Sequence, residues 1–198
     1  MKKLLSVCFI AVIAGSLITG CSAINTIKDT FAKANGVILF GSQNQIKEAF
    51  KQEDEDIEEK DKYTIKVAED GDQKIMILDE KTAKELVEKE LLKEVKNDSD
   101  TEPIASLPEV KEGNGVLFAK QQDKEVNLDG KQVEVTYEGN KIIGDGRSYV
   151  DAFIIVDGTD FSTMKGTEKT MGIIKYDKDP SKKLDEFDVE QVQLVKIK

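Results

Sequence analysis

The sequence predicts an α+β fold, a mixed or antiparallel sheet carrying a few helices. Three observations predict it. Short apolar or alternating runs, as at 37–40, 63–67 and 152–156, are separated by turns rich in Gly, Asn and Asp. Helical periodicity is confined to a few stretches. Two halves, about 35–96 and 114–176, also share one order of elements. Asn35-Gly-Val-Ile-Leu-Phe40 returns as Asn114-Gly-Val-Leu-Phe118, and Ile77-Leu78-Asp79 returns as Ile155-Val156-Asp157. Chance likeness between short apolar strands is an equal reading. A duplication requires residues 37–40 and 116–119 to have equivalent neighbours.

Residues 1–20 read as a leader that is removed. Lys2 and Lys3 precede an uncharged apolar run, 4–18, which ends in small residues and Cys21. These are the charged, apolar and cleavage regions of a secretory signal. A spanning helix needs about 20 apolar residues, and this run is followed by Gly-Cys-Ser rather than by a basic stop-transfer cluster. Cys8 lies inside the leader, so the remaining chain has no thiol besides Cys21.

Residues 21–34 form a stalk or first helix, with Ile24, Ile27 and Phe31 at helical spacing and Asn25 placed to cap it. A single domain is expected over 35–198. It opens with a buried strand at 37–40, after which Ser42 caps a helix containing Ile46, Ala49 and Phe50. The charge run 51–62, with only Ile57 apolar, reads as a solvated helix end or loop. Residues 63–67 and 74–78 then make a hairpin about the turn 69–72. From 81 to 95, Ala83, Leu86, Val87, Leu91 and Val95 line one helix face. Residues 97–108 form a connection. The second half reads as a strand at 116–119, a hairpin of 126–128 and 133–137, and a short apolar piece at Ile142 and Ile143. A strand at 152–156, a short helix through Phe161 and Met164, and strands at 170–176 and 189–197 complete the chain.

Composition removes several classes of function. There is no histidine, so a Ser-His-Asp triad, a Cys-His pair and His-ligated zinc are all excluded. No P-loop and no GxGxxG occurs. Of the 29 basic residues two fall in the leader, leaving 27 against 39 acidic ones. That acidity, with no basic cluster, does not suit a nucleic-acid binder. Asp177, Asp179 and Ser181 follow the first, third and fifth positions of a calcium loop, but Lys182 stands where the turn needs glycine and Asp188 where a bidentate glutamate belongs. No catalytic residues, metal or cofactor are therefore expected, and the chain is read as non-enzymatic. Arg147, the sole arginine, sits in Gly144-Asp-Gly-Arg-Ser-Tyr149. Its planar fork suits a carboxylate or phosphate, which makes Arg147 and Tyr149 candidates for ligand or partner contact. A structural salt bridge from Arg147 to a nearby acid is the plainer reading.

Leu17-Ile-Thr-Gly20-Cys21 resembles the lipobox of bacterial lipoprotein precursors. The resemblance implies cleavage between Gly20 and Cys21, acylation of the Cys21 thiol, and attachment to the bilayer on the extracytoplasmic face of the cell membrane. Two or three acyl chains hold a domain durably where one does not. The whole chain is similar to an uncharacterised group of Gram-positive lipoproteins, through Asn35–Phe40, Leu78-Asp-Glu-Lys-Thr-Ala-Lys-Glu-Leu86, Ile143-Gly-Asp-Gly-Arg147 and Lys175-Tyr-Asp-Lys-Asp-Pro180. That group implies no catalytic residues. A segment of about 25 residues, from Phe153-Ile-Ile-Val-Asp157 through Phe161 to Gly172-Ile-Ile-Lys-Tyr176, resembles in pattern the extracytoplasmic domains of FtsX/MacB-type ABC permeases. It implies a strand–helix–strand module and a membrane transporter as partner, though the permease's membrane spans are missing. Capture of a solute or peptide by the protein itself is the alternative.

Overall fold

The computed structural model describes residues 34–51, 55–97, 100–123, 125–128 and 130–198. The leader, Gly20, Cys21 and the expected first helix lie outside the described residues. A nine-stranded sheet dominates, in the order β12-β1-β11-β2-β3-β10-β6-β8-β7. Its strands are β1 (Gly36–Gly41), β2 (Ile57–Asp70), β3 (Gln73–Asp79), β6 (Gly115–Phe118), β7 (Glu125–Leu128), β8 (Lys131–Tyr137), β10 (Ala152–Val156), β11 (Thr167–Tyr176) and β12 (Gln191–Val195). A smaller sheet, β5-β4-β9, joins β4 (Leu92–Val95), β5 (Thr101–Pro103) and β9 (Lys141–Ile143). Three helices, α1 (Gln43–Ala49), α2 (Glu80–Glu88) and α3 (Gly158–Thr163), and a 3-10 turn at Ser181–Glu186 complete the described elements. The fold is α+β.

The central strands are apolar on both faces because both faces are covered. On β3, Met76 and Leu78 join Ile38, Phe40, Phe118, Phe153 and Ile155 in one core. That core lies under α2 and the small sheet, which contribute Ala83, Leu86, Leu92 and Ile143. Ile75 and Ile77 point the other way, into a second core with Leu117, Val126, Val133, Ile154 and Met164. Val37 and Leu39 meet Ile46 and Ala49 of α1 in a third. Each helix begins on a side-chain cap. Ser42 and Gln45 close a capping box, Asp79 accepts from the Thr82 N–H at 2.6 Å, and Asp157 accepts from Thr159 and Asp160.

Two expected elements differ. The expected helix over 81–95 stops at Glu88, and Leu92–Val95 is strand β4. Glu90 takes φ +58°, the Leu91 N–H donates to Leu86 O at 2.8 Å and the Glu90 N–H to Val87 O at 3.0 Å. This is a Schellman closure. It ends the helix where apolar spacing alone would continue it, and Leu91, just before β4, and Leu92, its first residue, stay buried. The second half of the charge run 51–62 is strand, since β2 begins at Ile57 and pairs with β11 as far as Tyr176. Its charges find partners. Lys89 Nζ lies 2.8 Å from both Glu59 and Asp61, and Lys175 Nζ lies 3.3 Å from Glu58.

The two halves are not placed alike. β1 has antiparallel neighbours on both sides, β11 and β12, whereas β6 has antiparallel β10 on one side and parallel β8 on the other. The neighbours that a duplication requires are therefore not equivalent. The second anchor has a different meaning. β3 and β10 lie side by side and parallel, Ile77 opposite Ile154; β3 ends in Asp79 and β10 is followed at once by Asp157, and each aspartate caps the next helix. One sheet thus runs through both halves of the chain.

Candidate functional site

Arg147 stands in the loop from β9 to β10. Gly144 turns that loop with φ +70°, and its N–H donates to Leu91 O at 2.8 Å. Arg147 lines two spaces. The inner one, about 10 Å³, is walled by Phe40, Met76, Phe153 and Gln193 and is the size of one water. The outer one, about 220 Å³, is polar. It is bounded by Gln73 at the start of β3, by Ala119, Lys120, Gln121 and Asp123 after β6, and by Arg147 and Asp151.

The guanidinium is half-buried and poorly matched. Nη2 donates to the Lys141 carbonyl at 2.5 Å, while Nε is buried without a partner. Among the described residues no carboxylate lies within ion-pair distance of it. The expected salt bridge is thus replaced by a main-chain contact. Burial pushes the Arg147 pKa down, opposed by the fields of Tyr137 and Asp151. Asp151 is held by the backbone of β3, its Oδ2 accepting from the Lys74 N–H at 2.9 Å and its own N–H donating to Lys74 O at 2.8 Å. Asp123 and Asp151 are exposed.

Tyr149 is placed apart from the outer pocket. It is 7% exposed, stacks on Phe40 and donates its hydroxyl to Glu190 Oε2 at 3.0 Å. Burial first, then Glu190, pushes its pKa up. The structure brings Arg147 and Tyr149 together only at the inner cavity. The other pocket residues, Gln73, Lys120, Asp123 and Asp151, come from three separated segments. No spacing in the sequence signals their meeting.

Topology fixes where the pocket opens. β3 and β10 start, and β6 ends, at one end of the sheet. β1 starts at the other, Gly36 opposite Lys175 near the end of β11. Ala34, through which the chain connects to Cys21, is therefore at the end of the sheet away from the pocket.

Residues 34–198 match the model of an uncharacterised lipoprotein family. The chain belongs to this family. The lipoprotein is also similar to a crystal structure at 1.5 Å of a Bacillus anthracis chain described as a lipoprotein, with a TM-score of 0.76 and 29% identity over 83% of this chain and 100% of that one. No curated protein matches. Membership in this Gram-positive lipoprotein family implies a membrane-anchored protein. Among the described residues no helix is long and apolar enough to cross a membrane, and no group of three acidic residues could hold a metal. Asp179, from the partial calcium-loop spacing, instead accepts from the Ser181 N–H at 2.9 Å.

Proposed function

We propose that this lipoprotein is a non-catalytic binding or accessory protein, held at the extracytoplasmic face of the cell membrane through acylated Cys21, with a membrane transporter of ABC type as its partner. The observation that carries the binding reading is the polar pocket at Arg147, where a half-buried cation has an unpartnered Nε and makes no ion pair among the described residues. The transporter reading is supported by the lipobox and by the permease-like pattern from Phe153 to Tyr176, whose strand, short helix and strand are β10, α3 and β11. Affinity capture of the acylated protein from detergent-solubilised membranes tests it. Recovery of a permease or its ATPase supports the assignment, and capture of neither overturns it.

Capture of its own ligand is the second reading. The sheet that runs unbroken from β12 to β7 joins the halves through β3 and β10, so a two-lobed clamp closing about a solute is disfavoured. A pocket of about 220 Å³ lies below the roughly 300–1,000 Å³ typical of drug-sized ligands. Only a small molecule fits this reading.

A further inference from the structure

The pocket's charges are mixed in a way that narrows its ligand. Arg147 has spent one donor on Lys141 O, and its Nε is buried and unpaired. Taking a cation out of water without a matching anion is unfavourable, and an arriving carboxylate would offset that charge with a charge-assisted hydrogen bond to a guanidinium donor other than the enclosed Nε. A polyanion is a poor candidate. Asp123 and Asp151 line the same pocket, and the whole chain has a formal charge of −10. A molecule with one negative and one positive group satisfies both ends. The amide side chains of Gln73 and Gln121, also in the wall, can donate to one group and accept from the other. Lys120, also in the wall, adds a second cation.

We propose that the Arg147 pocket binds a small zwitterion of the free α-amino-acid class, its carboxylate on the guanidinium and its ammonium against Asp123 and Asp151. This rests on the binding reading above, and not on the transporter.

Calorimetry and thermal unfolding of the acylated protein in detergent, with the common amino acids, acetate, methylamine and inorganic phosphate as probes, test this. At least one amino acid should bind and raise Tm, while acetate and methylamine bind about tenfold more weakly or worse, since each engages one end only. Arg147→Lys should weaken binding about tenfold, because a point charge replaces a planar fork. Asp123→Asn, in an exposed segment, should weaken it severalfold while leaving the fold intact. Should Arg147→Lys not fold, Asp123→Asn decides. Failure of every amino acid at millimolar concentration, equal binding of phosphate or acetate, or unchanged affinity in Asp123→Asn would each overturn the assignment. Loss of amino-acid binding with the membrane partner still captured removes the ligand alone. Amino-acid binding without a captured partner removes the transporter alone.

Discussion

The ring of Tyr149 lies flat on that of Phe40, with centroids 4.4 Å apart and planes 13° apart. Lys74 Nζ sits 3.7 Å above the Tyr149 ring, and the hydroxyl reaches Glu190, which also receives Lys169 Nζ. The stack joins the Arg147 loop to β1 and the hydrogen bond joins it to the start of β12. Tyr149→Ala removes a buried ring and should cost about 3–5 kcal/mol. Tyr149→Phe keeps the stack and loses one hydrogen bond, for about 1 kcal/mol. Guanidinium unfolding of the two variants checks the ratio. Equal losses would mean that the hydroxyl, not the ring, holds the loop.

Three tyrosines should resist ionisation. Burial first, then neighbouring carboxylates, pushes Tyr63 and Tyr176 up to about 12 and Tyr149 up as well. A phenol whose folded pKa exceeds its unfolded value of about 10 favours the neutral fold. That contribution is complete below about pH 10 and is lost as pH rises through about 12. Phenolate absorbance should thus lag in the native protein and rise together with alkaline unfolding. Full ionisation near pH 10 with the circular dichroism unchanged would refute this.

Much of the sheet was legible because burial on both faces leaves a plain mark. The runs at Val37, Val116 and Phe153 are apolar without a break and became β1, β6 and β10. Ser42 was legible as a cap because its chemistry is local. What escaped depends on partners distant in sequence. Glu58 to Lys62 lack an apolar face, and they are strand because β11 offers a continuous antiparallel edge and Lys89 and Lys175 neutralise the acids. Leu91 and Val95 fit a helix face, but Glu90 turns the chain first. Arg147 could be picked out from its rarity. Asp123, Asp151 and Gln73 could not, since only the β3–β10–β6 pairing brings them to one end.

Lys89 fastens the end of α2 to β2. Its side chain is 12% exposed and bridges Glu59 and Asp61. Burial alone would lower its pKa, but hydrogen bonds to the two carboxylates outweigh that and raise it. Lys89 in turn holds Glu59 below the usual carboxylate range. Lys89→Met should cost about 1–2 kcal/mol near neutral pH, a value reduced because Glu59 is half-exposed. A depressed acid stabilises above its unfolded pKa and loses that contribution as pH falls through the folded one. The penalty should therefore be smaller at an acidic pH below the ordinary carboxylate range than at neutral pH. Urea melts at both pH values measure it, and an equal penalty at each would show that packing of the lysine stem dominates.

Gly144 is where the Arg147 loop can least accept a side chain. Its φ is +70°, and a Cβ there would lie 2.3 Å from Gln193 Oε1, 2.9 Å from Ile38 Cδ1 and 3.1 Å from Val195 Cγ1. The left-handed backbone alone disfavours alanine by about 1 kcal/mol, and overpacking a filled core adds about 1–3 kcal/mol. Gln193 has little room to withdraw, because its amide nitrogen donates to Ser148 Oγ at 3.0 Å within the same loop. Gly144→Ala should then destabilise the protein by about 2–4 kcal/mol and displace Arg147 from its pocket. Gly130→Ala is the control. It also has a positive φ, +83°, but nothing lies within 4 Å of its Cβ position, so it should show the backbone cost alone. Denaturant melts of the pair separate the contributions, and equal losses would mean that the contact with Gln193 and Ile38 is relieved without cost.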